Sequence, residues 1–200
     1  MDKSQYKDIY VFAEQRHGKV QSVAFELLGK ARELADGTGE KVDAMLLGHQ
    51  LTDQADQLVA AGADGVIVVD DAAVANYTTE PYAQAITQIL HERKPSVVLI
   101  GATTIGRDLG PRLSARNTTG LTADCTGLAV SEAGDLQMTR PAFGGNLMAT
   151  IICTEHRPQI ATVRPGVMVR LAADPKRKGN IERFAAKFDA SKFRVKILEE

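Results

Sequence analysis

The regular alternation of short apolar runs with helical patterns constrains this chain more than any other feature of its sequence. The runs are too short to be buried helices, and they are rich in Val and Ile. They occupy residues 9–13, 42–47, 66–69 and 97–100. Strands that alternate with helices predict an α/β fold, in which a parallel sheet with right-handed crossovers forms the middle of three layers.

Helical patterns follow each of these runs. Apolar residues recur at helical spacing after Ser22, from about Asp53, after Pro81 and from Arg107 to Arg116. Glycines follow the first two patterns, and Pro95 follows the third. Both residue types are common just beyond helix ends. These signals predict four helices in the first 116 residues.

The pattern changes after Gly120. Strand-like segments occupy residues 122–130, 136–140, 147–154 and 159–163, and turn signals replace helices between them. We therefore expect antiparallel strands in the C-terminal half, added to one edge of the parallel sheet. A last alternating stretch, with Phe193, Val195 and Ile197, predicts either a strand or the beginning of a linker.

Composition narrows the function. The formal net charge of −1 argues against a general nucleic-acid binder. A local exception is the segment 174–196, which has eight Lys or Arg against three acids. We interpret it as a solvated surface or linker, with a docking patch for an acidic partner as the alternative. Two cysteines in no metal-ligand spacing, a polar N-terminus and no apolar run of about 20 residues predict a cytoplasmic protein without membrane insertion.

The segment 101–108 is the most informative candidate for a site, because it directly follows a predicted strand. Gly101 and Gly106 have the spacing of a phosphate-binding loop, and helix N-termini after strands offer amides to anions. Arg107 replaces the loop lysine, however, and Asp108 stands where a hydroxyl would hold magnesium. The acid would repel a phosphate. Spacing alone favours ordinary turn glycines, and we expect weak AMP binding or none.

Two arginines lie beside predicted turns. Arg140 precedes a Gly-Gly-Asn turn, and Arg164 stands between an apolar strand and Pro-Gly. An arginine in such a position can hold a carboxylate, a phosphate or the edge of a flavin. The alternative is an exposed hairpin arginine, and for Arg140 both interpretations remain open.

The sequence does not match the residue patterns that are typical of catalytic sites. The four histidines are scattered, with no second metal ligand at a typical spacing, and there is no Gly-x-Ser-x-Gly elbow for a nucleophile. Asp124 next to Cys125 suggests an activated thiol at first, but a neighbouring carboxylate raises a thiol pKa. We expect a structural Cys125, no catalytic residue, no metal site and hence no enzyme activity of the chain's own.

Several runs together resemble one family. The run GRDLGPRLSAR at residues 106–116 and TGLTADC at 119–125 are similar to the alpha subunit of electron-transfer flavoproteins. RPAFGGN at 140–146 and TVRPG at 162–166 follow in that family's order, and the first strand also fits. The resemblance spans nearly the whole chain and is strongest between residues 97 and 168.

The resemblance implies a function. Such proteins are FAD-containing alpha–beta heterodimers. They carry electrons from flavin dehydrogenases, including the acyl-CoA dehydrogenases of fatty acid β-oxidation, to a quinone oxidoreductase or another acceptor. The resemblance also implies AMP on the beta subunit, where this chain has its 101–108 segment. Gly101, Gly106 and Arg107 would then be the relic of a nucleotide loop, and Arg140 and Arg164 would border the flavin domain.

The resemblance also implies a domain organisation. Residues 1–170 correspond to the family's N-terminal α/β domain, and residues 171–200 to an extension that leads toward a flavin-binding domain. The Ser-Gly-Gly-Arg-Gly motif that opens the family's flavin domain does not occur in these 200 residues. We therefore expect either a piece of a longer protein or a flavin domain on another polypeptide, and no FAD on this chain alone.

Two other functions stay open. A free-standing AMP- or ATP-binding module of the universal-stress-protein type would use the 101–108 segment. A small enzyme of unknown reaction is the third alternative, and it lacks identifiable catalytic groups.

Overall fold

The computed structural model describes residues 1–51 and 53–198. In chain order the strands are β1 (Ile9–Phe12), β2 (Gln15–Arg16), β3 (Lys19–Val20), β4 (Val42–Gly48), β5 (Gly65–Asp70), β6 (Val97–Gly101), β7 (Leu121–Cys125), β8 (Gly127–Val130), β9 (Leu136–Ala142), β10 (Leu147–Ile152), β11 (Gln159–Val163) and β12 (Asn180–Arg183). The helices are α1 (Ser22–Thr38), α2 (Gln54–Ala60), α3 (Thr79–Arg93) and α4 (Thr104–Arg116). None of these helices is both long and apolar enough to cross a bilayer.

The main sheet has seven parallel strands in the order β12-β5-β4-β1-β6-β11-β7. Buried residues of α1 and α2 pack on one face, and those of α3 and α4 pack on the other. The α/β prediction with three layers is therefore confirmed.

The apolar runs explain why the sheet lies inside. Residues of β1 alternate between the two faces, so that Ile9 and Val11 join the core under α1 while Tyr10 and Phe12 join the core under α3. All four are at most 4% exposed. A strand that is buried on both faces needs a continuous apolar run, as the sequence has here.

The C-terminal half differs from the prediction in one respect. The segment 122–130 is divided at Thr126: β7 joins the parallel sheet, and β8 begins a separate antiparallel sheet with β9 and β10. The strand β11 is also parallel and lies between β6 and β7. The antiparallel strands thus form their own sheet and do not extend the parallel one. Val130 and Leu136 are hairpin partners, as predicted.

The basic segment forms a strand that the sequence analysis missed. β12 pairs with β5 and is the edge of the parallel sheet. After it, Phe184, Ala186 and Phe188 pack against the core under α3. The alternating residues 193–197 are not a strand. The domain division at residue 170 stays a prediction, although the chain beyond it completes the sheet.

Candidate functional site

The carboxyl ends of β1, β6, β11 and β7 lie side by side at one edge of the parallel sheet. From β1 the chain passes through α1 to β4 on one side, and it later returns through α3 to β6 on the other side. The strand order therefore reverses between β1 and β6. In open α/β sheets this is the position at which ligands bind.

The segment 101–108 is a tight strand-to-helix connection at this position. β6 ends at Gly101, and α4 begins at Thr104, three residues before the predicted beginning. A Cβ on Gly106 would lie 1.7 Å from the Gly101 carbonyl oxygen, so the helix packs directly on the strand end. The backbone N–H of Gly106 donates to Thr103 Oγ1 at 3.1 Å. This contact is the N-cap of α4. Both glycines thus serve the packing and capping of the connection.

A carboxylate lies where β1 ends. Glu14 is 1% exposed and accepts a hydrogen bond from the Thr103 hydroxyl. Arg16 pairs with Glu14 at 3.0 Å and donates to Thr104 Oγ1 at 3.3 Å. These contacts connect β1 and α4 across the reversal point. A buried carboxylate there opposes the binding of a phosphate group.

The second carboxylate, Asp108, is held on the outer side of α4. Its Oδ2 accepts hydrogen bonds from the Tyr77 hydroxyl and from Thr79 Oγ1, each at 2.6 Å. Asp108 therefore has a local structural role. It belongs to α4, where it directly follows Arg107 in the sequence. Near this place Ile197 lines a cavity of about 290 Å³ together with Arg16 and Tyr77. The C-terminal segment thus reaches the same end of the sheet.

Asp124 binds two of the arginines that the sequence analysis singled out. Its Oδ1 and Oδ2 accept from Arg164 Nε and a terminal nitrogen of the same guanidinium, at 3.2 and 2.7 Å. A terminal nitrogen of Arg107 lies 3.4 Å from Oδ1. Arg107 Nε donates to the Ala102 carbonyl oxygen at 3.0 Å. The structure thus brings the 101–108 segment and Arg164 together through one carboxylate.

Neighbouring arginines favour the ionised form of the Asp124 carboxyl group. The hydrogen bond from Arg164 lowers the pKa of Asp124, with the charges of Arg107 and Arg140 acting in the same direction. The same pairing raises the pKa of Arg164. Asp124 also has φ = 61°, a left-handed conformation that Asp tolerates better than most residues. Its backbone N–H donates to Thr162 Oγ1 at 2.9 Å, which holds the turn in place.

Arg140 belongs to β9. Its Nε is buried and has no hydrogen-bond partner among the described residues. Cys125, next to Asp124, is fully buried, and burial raises its pKa to about 11. The interpretation of Cys125 as a structural thiol is consistent with this environment.

The antiparallel sheet presents an apolar edge. β10 is its outer strand, and its backbone pairs only with β9 in the described part of the chain. Large apolar side chains on this hairpin are exposed: Phe143 81%, Leu147 59%, Met148 59%, Ile151 37% and Ile152 42%. The segment 164–166 is also exposed, and Gly166 N donates to Glu26 at 2.7 Å.

The sequence analysis named the arginines of this site but missed its acids. Asp124 was considered only as a neighbour of Cys125, and Glu14 was not singled out. The sequence did contain a signal for both acids. Glu14 directly follows Ala13 at the end of the first predicted strand, and Asp124 follows Ala123 near the beginning of the predicted strand 122–130. The roles of Gly101, Gly106, Arg107, Arg140 and Arg164 toward a cofactor stay predictions.

Comparison with known proteins identifies the family. The model of the electron transfer flavoprotein domain matches residues 9–189. The chain belongs to the electron transfer flavoprotein domain family. It is 56% identical over 193 residues to the electron transfer flavoprotein subunit alpha of Thermoanaerobacterium thermosaccharolyticum, covering 96% of this chain and 58% of that protein. The resemblance found in the sequence is confirmed.

Other relatives support the alpha-type assignment. The electron transfer flavoprotein subunit alpha of Clostridium acetobutylicum is 50% identical over 200 residues, with 98% of this chain and 60% of the relative covered. The acryloyl-CoA reductase electron transfer subunit beta of Anaerotignum propionicum is 48% identical over 190 residues, with 84% and 52% covered. The chain thus spans between half and two thirds of the length of these relatives.

Proposed function

We propose that this chain is the N-terminal α/β domain of an electron-transfer flavoprotein alpha subunit, working within an FAD-containing alpha–beta heterodimer. The complex would carry electrons from flavin dehydrogenases, such as the acyl-CoA dehydrogenases of fatty acid β-oxidation, to a quinone oxidoreductase or another acceptor. In this role the chain is a part of an electron carrier and not an enzyme. We place it in the cytoplasm.

The main observation in favour of a heterodimer is the exposed apolar edge strand β10. An exposed edge with large apolar side chains on both of its faces is prone to aggregation unless another element covers it. Obligate interfaces are rich in such area. We expect the beta subunit or the flavin domain to cover residues 143–146 at the tip of this hairpin and the segment 163–166, of which residues 164–166 are exposed.

We expect no complete flavin site on this chain alone. An isoalloxazine needs a concave pocket with several oriented polar groups. Arg164 is exposed and bound to Asp124, the Nε of Arg140 is buried, and the reversal point between β1 and β6 is crossed by the contact of Glu14 with Thr103. We therefore propose that FAD sits on another domain and AMP on the beta subunit.

The flavin proposal is tested by reconstitution. The chain expressed alone should be colourless after addition of FAD, because in our proposal the flavin is bound by another domain. Joined to an alpha-subunit flavin domain and expressed with a beta subunit, it should give a yellow complex. Stoichiometric FAD on the chain alone, or failure of the beta subunit to bind both this chain and the joined version, would contradict the proposal.

The proposed position of Arg140 and Arg164 at the border of the flavin domain has to be tested in the complete complex. Arg140→Ala and Arg164→Ala should each lower FAD retention or the electron-transfer rate, because each removes a cation from the surface that we assign to the flavin domain. Arg183→Ala, at the opposite edge of the sheet, is the matched control. Unchanged values for both site variants would make these residues ordinary surface arginines.

The second candidate function is a free-standing nucleotide-binding module of the universal-stress-protein type. The observation in its favour is that the loop from Gly101 to Gly106 lies at the strand-order reversal. Against it stand the carboxylates of Glu14 and Asp108. Calorimetric titration with AMP and ATP separates the two functions: micromolar affinity supports the nucleotide module, whereas no heat of binding supports the electron-carrier subunit.

A further inference from the structure

Two glutamines on α3 hold the chain that follows β12. Gln84 and Gln88 are four residues apart, so their side chains leave the helix on the same face. The Gln88 amide donates to the Lys187 carbonyl oxygen at 2.8 Å and accepts from the Lys187 backbone N–H at 2.9 Å. The Gln84 amide makes the same two contacts with Asp189, at 3.3 and 2.8 Å. Each glutamine thus pairs with both backbone polar groups of one residue.

Both side-chain amides are oriented by their own helix. Gln84 Nε2 also donates to Glu80 Oε1 at 3.1 Å, and Gln88 Nε2 also donates to the Gln84 carbonyl oxygen at 3.0 Å. An amide NH2 group has two hydrogens, so the second one is directed to the segment that follows β12, beside the oxygen that accepts. A neighbouring β-strand offers the same combination of donor and acceptor. The two glutamines therefore bind the backbone of residues 187 and 189 whatever their side chains are.

The segment 187–197, which we call the strap, has few other attachments to the domain. In the described part of the chain it forms one 3₁₀ turn, Ala190–Lys192, and no strand. Phe188 packs against the core under α3 and lies beside Phe193, with ring centroids 6.4 Å apart. Before the strap, the Phe184 N–H still donates to a carbonyl oxygen of β5 at 2.8 Å. A segment whose hydrogen bonds are exposed to water opens at a lower free energy than the sheet does.

The strap lines three cavities on the side of α3 and α4. Its residues 187–189 line one of about 460 Å³ that also touches Gln84 and Gln88. Phe193 and Val195 line a second of about 500 Å³, whose other wall belongs to α3 and α4. Ile197 lines the cavity of about 290 Å³ near the strand-order reversal. The position of the strap therefore decides how open these three cavities are to solvent.

We propose that the strap is a lid, which is fastened by Gln84 and Gln88 and opens as one unit while Phe184 stays in place on the sheet. Opening breaks the four amide contacts with residues 187 and 189 and moves Phe188 out of its contact with the core under α3. The cavities between the strap and the two helices then become accessible. Closing needs no change in the sheet, because α3 keeps both amides oriented toward the strap.

Hydrogen exchange of individual amides, followed by NMR of the whole chain, tests the lid. Gln88→Ala removes the partner of Lys187, and exchange is then measured at the Asp189 N–H, which Gln84 binds. A strap that opens as one unit predicts exchange about tenfold faster there, because the contacts at Gln88 no longer oppose opening. Gln84→Ala should speed up exchange at the Lys187 N–H by a similar factor. If each variant changed only the amide that it had bound itself, the contacts would be independent and the proposal would be overturned.

Two controls distinguish opening of the lid from general destabilisation. The Phe184 N–H should keep its exchange rate in both variants; acceleration there by the same factor would mean that strap and sheet open together, and it would overturn the proposal. Gln57→Ala, on α2 at the other face of the sheet, should leave exchange at residues 187 and 189 unchanged. An equal acceleration in Gln57→Ala would also count against the lid.

An isosteric variant tests whether the amide itself fastens the strap. Gln88→Glu keeps an acceptor for the Lys187 N–H, but it replaces the donor with an oxygen that faces the Lys187 carbonyl oxygen. Two acceptors cannot share a hydrogen bond, so at neutral pH exchange at the Asp189 N–H should be at least as fast as in Gln88→Ala. If Gln88→Glu exchanged as slowly as the unchanged chain, the pairing of the glutamine amide with the backbone would not hold the lid.

Discussion

Asp124 accepts both hydrogen bonds that the Arg164 guanidinium directs toward it, at 3.2 and 2.7 Å. Asp124 lies near the end of β7, and Arg164 directly follows β11, its parallel neighbour. Arg164 N also donates to the Cys125 carbonyl oxygen at 2.9 Å. The pair therefore fixes the loops that leave two adjacent strands, in a bidentate geometry that is specific to arginine.

This pair should stabilise the fold modestly. In a double-mutant cycle of Asp124→Asn and Arg164→Gln, urea unfolding should give a small favourable coupling energy, because solvent screens a pair whose side chains are partly exposed. Asparagine is chosen since it tolerates the left-handed backbone at residue 124. A coupling energy near zero would mean that the two side chains fold independently of each other.

The contact between Gly106 and Gly101 should tolerate no side chain. A Cβ at residue 106 would lie 1.7 Å from the Gly101 carbonyl oxygen, so Gly106→Ala must push α4 away from β6. We expect a loss of at least about 3 kcal/mol in the free energy of unfolding. Gly37→Ala is the matched control, because nothing lies within 4 Å of its Cβ position in α1. That change should stabilise by about 0.5–1 kcal/mol. Similar losses in both variants would contradict this packing.

The local spacing of apolar residues was sufficient to predict the main strands and helices in the first half of the fold. The runs that became β1, β4, β5 and β6 are almost entirely apolar. Each is followed by a helical pattern, and the first three of these patterns end at a stop signal. The pairing of β11 with β6 could not be inferred in this way. The element directly before β11 is the strand β10 and not a helix, so its parallel partners are decided by the burial of both its faces.

The same limit applies to the site. Arg140 and Arg164 stood out because each lies beside a turn, but their common neighbour Asp124 depends on the register between β7 and β11. That register shifts between Ala161 and Val163, an irregularity that no sequence pattern indicates. The edge strand β12 was missed for a related reason: its residues are mostly exposed, and only pairing with β5 makes them a strand.

The segment after β12 should be part of the folding unit. Phe184 packs against the core under α3, whereas Phe143 on the antiparallel hairpin is 81% exposed. Phe184→Ala should therefore cost about 2–4 kcal/mol in the free energy of unfolding. Phe143→Ala should change it by no more than about 0.5 kcal/mol. If Phe184→Ala had as small an effect as Phe143→Ala, the chain beyond residue 170 would be a loosely attached extension, as the sequence alone suggests.

Glu80 should make stability depend on pH in the acid range. Burial works against its charge, but hydrogen bonds from Arg112, Gln84 and Arg116 prevail and lower its pKa to about 2, from an ordinary value of 4.5. A carboxyl whose pKa falls on folding stabilises the protein above the unfolded value, and this contribution is lost as the pH drops through the folded value. The window is thus from about 4.5 down to about 2.

The expected result is a pH-dependent difference between the unchanged chain and Glu80→Gln in urea unfolding. At neutral pH the variant should be less stable by about 1–3 kcal/mol, because two arginines on α4 lose their anion. The difference should shrink as the pH falls below about 4.5, since the native carboxyl then approaches protonation. Glu33→Gln on α1 is the control: its side chain is 69% exposed and pairs with Lys30 at the surface, so the change should be small. If the loss of stability in Glu80→Gln stayed constant between about pH 4.5 and about pH 2, the shape of the Glu80 side chain and not its charge would be what matters for joining α3 to α4.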